Sequence, residues 1–165
     1  MLIKLKNKDT LMLDNHILSC SIGKNGINSK KKEGDKCSPR GVFSFGKLYY
    51  RADRVKKPKS GISTKIIKKD MGWCNDVTSK FYNTEIKINK KIRHEKLFRK
   101  DNLYNYLIII NYNTKKITPG VGSAIFLHLT NNYKKTAGCI AVKEKDLLII
   151  LRLIKLLAQI FLILF

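Results

Sequence analysis

Apolar residues in this chain come in short runs closed off by turn signals, and only one stretch carries them at helical spacing. Leu2 to Leu5, Thr10 to Leu13 and His16 to Ile22 read as strands, and Gly23-Lys24-Asn25-Gly26 reads as a turn. Gly41 to Tyr50 and Tyr106 to Tyr112 continue the pattern with β-branched and aromatic residues. The pattern predicts a mainly β chain. With 165 residues, 44% of them hydrophobic, it is long and apolar enough for one domain with its own core, and no repeat or linker divides it. A polar stretch from roughly Ala52 to Asn102 has few periodic runs. It is expected to be a surface excursion of the same domain that hides short strands or helical turns, since a structureless loop of that length is unusual.

The one helical period lies near the end. Leu147 to Phe165, LLIILRLIKLLAQIFLILF, approaches the ~20 residues that cross a bilayer. Arg152, Lys155 and Gln159 interrupt it, and charges inside a span are costly. Because those charges recur on one helical face, the favoured expectation is a helix from about Glu144 to Leu157 packed on the core, then a short buried strand, Ile160 to Phe165. Membrane contact through residues 147–165 is the less favoured alternative.

Charge narrows the function without choosing it. Lys and Arg number 34 against 12 Asp and Glu, a formal net charge of +22, which attracts polyanions such as nucleic acid, anionic lipid or acidic wall polymers. The cations are spread along the chain, as in Lys30-Lys31-Lys32 and Lys56-Lys57-Pro58-Lys59, and read as a solvated background. No helix-turn-helix, RNA-binding aromatic motif or zinc-finger spacing accompanies them, so no specific nucleic-acid partner is expected. Cys20, Cys37, Cys74 and Cys139 form no C-x-x-C pair and share no ligand spacing with His16, His94 or His128. Neither a metal nor a cofactor is expected. The opening Met-Leu-Ile-Lys-Leu-Lys-Asn-Lys lacks an apolar signal region, which points to the cytosol and reduced thiols. A misassigned start or unconventional export would place the protein in the periplasm instead.

The chemistry concentrates between Gly120 and Asp146. Alternation over Ser123 to Leu129 puts Ala124, Phe126 and His128 on one face and Ile125, Leu127 and Leu129 on the other. A second short strand, Gly138 to Val142, follows the polar loop Thr130 to Ala137. If the two strands are neighbours, His128 and Cys139 meet at one end of a sheet. A free thiol is mostly protonated at neutral pH, and an adjacent imidazole can take the proton or stabilise the thiolate. Gly138 allows a tight turn that aims the Gly138 and Cys139 amides at a developing oxyanion.

The order of these elements resembles the L,D-transpeptidase (YkuD-type) catalytic domain. The pattern is His128, a loop, then Thr136-Ala137-Gly138-Cys139-Ile140, with Asp146 beginning Asp-Leu-Leu. Cys20 to Gly26, then Glu33-Gly34-Asp35-Lys36-Cys37-Ser38-Pro39-Arg40-Gly41-Val42-Phe43, resemble the short branch of this family. Tyr50-Arg51-Ala52-Asp53-Arg54-Val55, Gly72-Trp73-Cys74-Asn75-Asp76 and Gly120 to Phe126 extend the similarity, which covers about residues 17–151. The resemblance implies a β-sandwich-like domain with a helix packed after the nucleophile strand. It also implies a cysteine acyltransferase acting on peptidoglycan stem peptides, in which Cys139 is the nucleophile, His128 the base and Gly138 part of the oxyanion site. Thr136 holds the family's hydroxyl position.

Departures from the pattern bear on substrate contacts. Leu129 stands where many members have Gly, Ala137 where many have a second His, and Ala141 where many have Arg. The loop from His128 to Cys139 is short, leaving less lid. Trp73 is a candidate to cover the substrate groove, and Lys24, Arg40, Arg51 and Arg54 are candidates to bind stem-peptide carboxylates. Two enzyme readings follow: a transpeptidase making 3-3 cross-links, or a cytoplasmic L,D-carboxypeptidase of peptidoglycan recycling. A basic nucleic-acid or membrane binding module with a degenerate site is the reading from another class.

Overall fold

A computed structural model describes residues 2–13, 15–156 and 161–164. Strands β1 (Leu2–Asn7), β2 (Thr10–Leu13) and β3 (His16–Ser21) form an antiparallel meander, followed by a short parallel pair, β4 (Ile27–Asn28) with β5 (Ser38–Pro39). The long β6 (Gly41–Tyr50) precedes β7 (Thr64–Ile66), β8 (Met71–Cys74), β9 (Glu85–Lys87) and β10 (His94–Lys96). Then come β11 (Tyr106–Ile110), β12 (Phe126–Leu129), β13 (Ile140–Val142), α1 (Glu144–Leu156) and β14 (Phe161–Leu164).

The principal sheet runs β11-β12-β13-β3-β2-β1-β14-β6, and β6 pairs again with β11. The hydrogen-bonded circuit therefore closes. Two strands make the closure possible by serving both faces. β6 gives Gly41 to Ser44 to β14 and Phe45 to Tyr50 to β11, while β3 joins β2 on one edge and β13 on the other. The mainly β, sandwich-like architecture expected from the short runs is the one observed.

Inside the circuit lies the main core, which includes Ile3, Leu11, Leu13, Ile22, Leu48, Ile108, Leu127 and Ile140. The helix belongs to this core, contributing Leu147, Ile150, Leu151 and Ile154 at helical spacing while Arg152 faces out. Each such aliphatic side chain contributes about 1.5–3 kcal/mol when fully buried. Glu144 and Asp146 sit in the first turn, where the helix dipole favours negative charge. The expected boundaries hold closely: the helix covers 144–156, and β14 supplies a strand at 161–164 that pairs with β1 and β6. Residues 157–160 and 165 of those expectations lie outside the described residues. Among the described residues no helix is long and apolar enough to cross a membrane.

The stretch between Ala52 and Asn102 hides the short strands expected of it, but it is more than a surface excursion. It folds β8 between β10 and β9 as a three-stranded sheet and packs Ile67, Met71, Trp73 and Leu97 on the outer face of β11 and β12, against Leu107, Ile109 and Phe126. That cover explains why all five residues of β11 are buried. Strands of three or four residues set among lysines and asparagines carry too few apolar positions to announce a period. Trp73, expected over the groove, is instead part of this packing: its ring meets Phe126 edge-on at 5.3 Å and its Nε1 donates to Asn83 Oδ1 at 2.9 Å.

Asn83 ties the cover to the principal sheet. Its Oδ1 also accepts from the Ala124 amide at 3.0 Å, and its Nδ2 donates to the carbonyls of Tyr112 and Asn113. Asn83→Ala would strand the Trp73 indole N–H and the Ala124 amide in the interior, at about 1–3 kcal/mol for each group. Urea melts of the variant should show a stability loss of more than about 2 kcal/mol; a loss under about 0.5 would mean that Asn83 does not tie the layers together.

Candidate active site

Strand β13 runs parallel to β12 with Leu127 opposite Ile140 and His128 opposite Ala141. In a parallel pair, opposed residues share a face and alternate residues return to it, so Cys139, Ala141 and His128 all face the same way. The split expected for Ser123 to Leu129 is visible in the packing. Ala124 and Phe126 join the outer cluster with Cys139, whereas Ile125, Leu127 and Leu129 enter the main core. His128 and Cys139 both line a cavity of about 660 Å³ roofed in part by the β8–β10 layer.

The imidazole is aimed by the backbone. His128 Nδ1 lies 2.7 Å from the carbonyl oxygen of Leu129, and a carbonyl can only accept, so Nδ1 carries the hydrogen. Nε2 is thereby the basic nitrogen and has no partner among the described residues. The contact uses the carbonyl of residue 129, while the Leu129 side chain turns into the main core. Tyr104 holds the ring from the side, edge-on at 5.2 Å. Burial lowers the His128 pKa to about 4.

The thiol is equally neutral. Cys139 Sγ donates to the Ala124 carbonyl at 3.2 Å and accepts from the Phe126 amide at 3.4 Å. Burial pushes its pKa up to about 12, and the nearby Glu95 carboxyl adds to the rise. Of the two options raised by the sequence, the free site therefore holds a thiol beside a neutral imidazole and not an ion pair. Ala124 delivers its carbonyl from a left-handed backbone conformation, φ 53°, that its amide bond to Asn83 helps hold.

The turn before Cys139 is clamped from three sides. Gly138 has φ 142°, and a Cβ there would lie 2.8 Å from the Cys37 carbonyl oxygen, so only glycine fits. Ser38, fully buried, donates its hydroxyl to the Gly138 carbonyl at 2.7 Å and accepts the Gly23 amide at 2.9 Å. Thr136 donates to the Cys139 carbonyl at 2.6 Å and accepts the Gly138 amide at 3.1 Å. Of the two amides expected at an oxyanion, that of Gly138 is thus committed to Thr136, while that of Cys139 has no partner among the described residues. Thr136 shapes the loop and also lines the cavity. Lys24 and Arg40 are exposed and lie outside the cavity; Lys24 touches the site only through its amide, which donates to the Thr136 carbonyl. Arg51 and Arg54 bond Asp53 and the carbonyls of Arg99, Lys100 and Asp101. Among the described residues no group of three or more His, Cys, Asp or Glu side chains converges as a metal ion would require.

Several cavity residues escaped the sequence reading. Lys31, taken with its neighbours as solvated charge, is buried, pairs with Asp35 at 2.7 Å and lays its stem on Gly122, where a Cβ would come within 2.9 Å of Lys31 Cε. Its charge favours the Cys139 thiolate. Glu95 and Tyr104, hydrogen-bonded to each other, and Arg99 line the same cavity from segments with no periodic signal. The fit of Lys31 into the Gly122 notch could have been suspected only from Gly120-x-Gly122, a spacing with many other meanings.

Comparison with known proteins agrees with this geometry: the L,D-transpeptidase catalytic domain model, YkuD, matches residues 2–160, nearly the whole chain, and the chain belongs to that family. It is accordingly an L,D-transpeptidase-type enzyme of a family that acts on peptidoglycan stem peptides. No curated protein matches the chain.

Two outcomes follow from the neutral pair and its clamp. Iodoacetamide should alkylate Cys139 of the free protein slowly at pH 7, the rate still climbing above pH 9; a plateau reached below pH 8 would show a preformed thiolate. Ser38→Ala leaves the Gly138 carbonyl and Gly23 amide unpaired, so turnover should fall at least about tenfold with the melting temperature lowered.

Proposed function

We propose that the protein is a cysteine-dependent L,D-transpeptidase that forms 3-3 cross-links between peptidoglycan stems through a thioester. The observation that carries this reading is the His128 ring, held at Nδ1 by Leu129 and free at Nε2, on the same face and in the same cavity as the Cys139 thiol. Substrate entry draws the thiol from the Ala124 carbonyl to Nε2, which takes its proton as sulfur attacks the carbonyl between the third residue, a diamino acid at its L-centre, and the terminal D-Ala. The Cys139 amide is the donor positioned for the oxyanion. Collapse breaks the peptide bond, the imidazolium protonates the departing D-Ala amine, and the acyl group stays on sulfur. An amine of a second stem then attacks the thioester, His128 accepts its proton, and the thiol is restored. Burial of both groups supports proton transfer only within the loaded complex, since neither is ionised beforehand.

Water in place of the amine would give the L,D-carboxypeptidase. Ala137 and Ala141 present small side chains to the cavity, and the room they leave for water supports this second reading. The two differ in compartment as well: cross-linking belongs outside the inner membrane, trimming of recycled stems in the cytoplasm.

Mass spectrometry after incubation with a disaccharide-tetrapeptide separates them. A dimer mass less one D-Ala is expected for the transpeptidase; tripeptide without dimer selects the carboxypeptidase. Cys139→Ala and His128→Ala should each lower turnover by about 10³-fold or more with circular dichroism unchanged. Full activity in either variant would sink the mechanism.

A further inference from the structure

The Tyr50-Arg51-Ala52-Asp53-Arg54-Val55 block takes no part in the reaction drawn above, and neither of its arginines lines the cavity. Both reach instead for one neighbouring stretch of backbone. Arg51, only 2% exposed, forks Asp53 through Nε at 2.8 Å and Nη2 at 2.7 Å and donates from Nη1 to the Arg99 carbonyl at 2.6 Å. Its guanidinium lies 3.5 Å from the centre of the Phe98 ring. A turn in which the Arg54 amide donates to the Arg51 carbonyl brings the second arginine alongside. Arg54 gives Nη2 to the Lys100 carbonyl at 2.9 Å and Nη1 to the Asp101 carbonyl at 2.7 Å. Three successive carbonyls, those of residues 99, 100 and 101, are thus received by two guanidinium groups.

These carbonyls lie between β10 and β11, where no ladder supplies them with donors. A planar fork can serve two acceptors at once in a fixed geometry, which a lysine ammonium does not reproduce. What the fork holds is one side of the active site. Leu103 and Tyr104 follow directly and line the cavity. The Leu103 carbonyl accepts the Leu129 amide at 3.0 Å, and the Leu129 carbonyl is the group that orients His128 Nδ1. Tyr104 stands edge-on to the imidazole at 5.2 Å and edge-on to Phe126 at 6.0 Å. Contacts therefore run unbroken from two arginines outside the cavity to both the backbone and the ring that hold His128. The charges that act on the imidazole, Arg99 and Asp101, ride on the same segment, are paired with each other and pull in opposite senses, so burial governs the ring.

We propose that Arg51 and Arg54 are positioning residues for His128: by fixing the carbonyls of residues 99–101 they seat Leu103 and Tyr104 against the His128 strand and keep water from the imidazole. Their effect on turnover rests on His128 acting as the base, as read above; their effect on the ring does not.

The test replaces each guanidinium by an ammonium, Arg54→Lys and Arg51→Lys, which keeps the charge and loses the fork. In wild type, burial brings the His128 midpoint down to about 4. Followed by nitrogen NMR of the imidazole, and assigned by the loss of its signals in His128→Gln, the midpoint should rise by about one pH unit or more in each variant, toward the ~6.5 of a solvated histidine. With stem peptide, kcat should fall at least about fivefold while KM stays within about twofold, because the substrate meets neither arginine. Arg54 is exposed, so Arg54→Lys keeps the fold and decides the outcome if Arg51→Lys does not fold. A midpoint that stays at its wild-type value in folded Arg54→Lys overturns the proposal even if turnover or melting temperature drops, since support of the fold alone would do that. A raised midpoint with undiminished kcat in an active protein overturns it as well. If wild type turns over no stem peptide and the midpoint still rises in the variants, the positioning role stands and the activity reading alone falls.

Discussion

Everything at the site depends on the parallel register of two short strands. Because side chains alternate with a period of two, Leu127 opposite Ile140 puts His128 and Cys139 on the same face, and a slip by one residue would send one of them into the main core. The slip is opposed on both sides. Leu127, Leu129, Ile140 and Val142 fill the interior, and Phe126 is packed between Trp73 and Tyr104 outside. Apolar packing thus flanks the pair on both faces of the sheet, and the geometry of His128 and Cys139 inherits the rigidity of two cores.

Around that register the chain spends polar side chains on backbone groups and not on the Cys139 thiol or His128 Nε2. Ser38 and Thr136 hold the turn at Gly138, Asn83 holds Ala124, and the Leu129 carbonyl sets the imidazole tautomer. None of these touches the bond to be broken. Their common effect is to fix where a thiol and an imidazole can stand while leaving both uncharged. A net charge of +22 would by its field alone favour the thiolate, yet local desolvation outweighs the distant lysines, which are solvated and screened.

Legibility in the sequence tracked the range of the signal. Alternation over Ser123 to Leu129 and the turn at Gly138 are local, and the face assignments read from them coincide with the two clusters in the structure. The helix at 144–156 announced itself by Leu147, Ile150, Leu151 and Ile154. Long-range partners left no such trace. Ser38 was visible only as part of a motif, and its hydroxyl reaches across the sequence to Gly138; Lys31 read as one of three solvated lysines, but it is buried against Gly122. Glu95 sits in a strand too short to show a period, and Arg99 and Tyr104 lie in the connection after it, so their convergence on the cavity exists only in three dimensions.

The position of β14 has a consequence for how such a molecule comes into being. It lies between β1 and β6, yet it follows β13 and α1 in the chain. During synthesis β1 and β6 therefore emerge as open edges and wait until the last segment of the circuit has been translated, a long sequence separation of the kind that slows folding. A nascent chain that already contains Cys139 still lacks the strand that completes the sheet, so the thiol and its scaffold become available together, only after the ribosome has moved well past Cys139 itself.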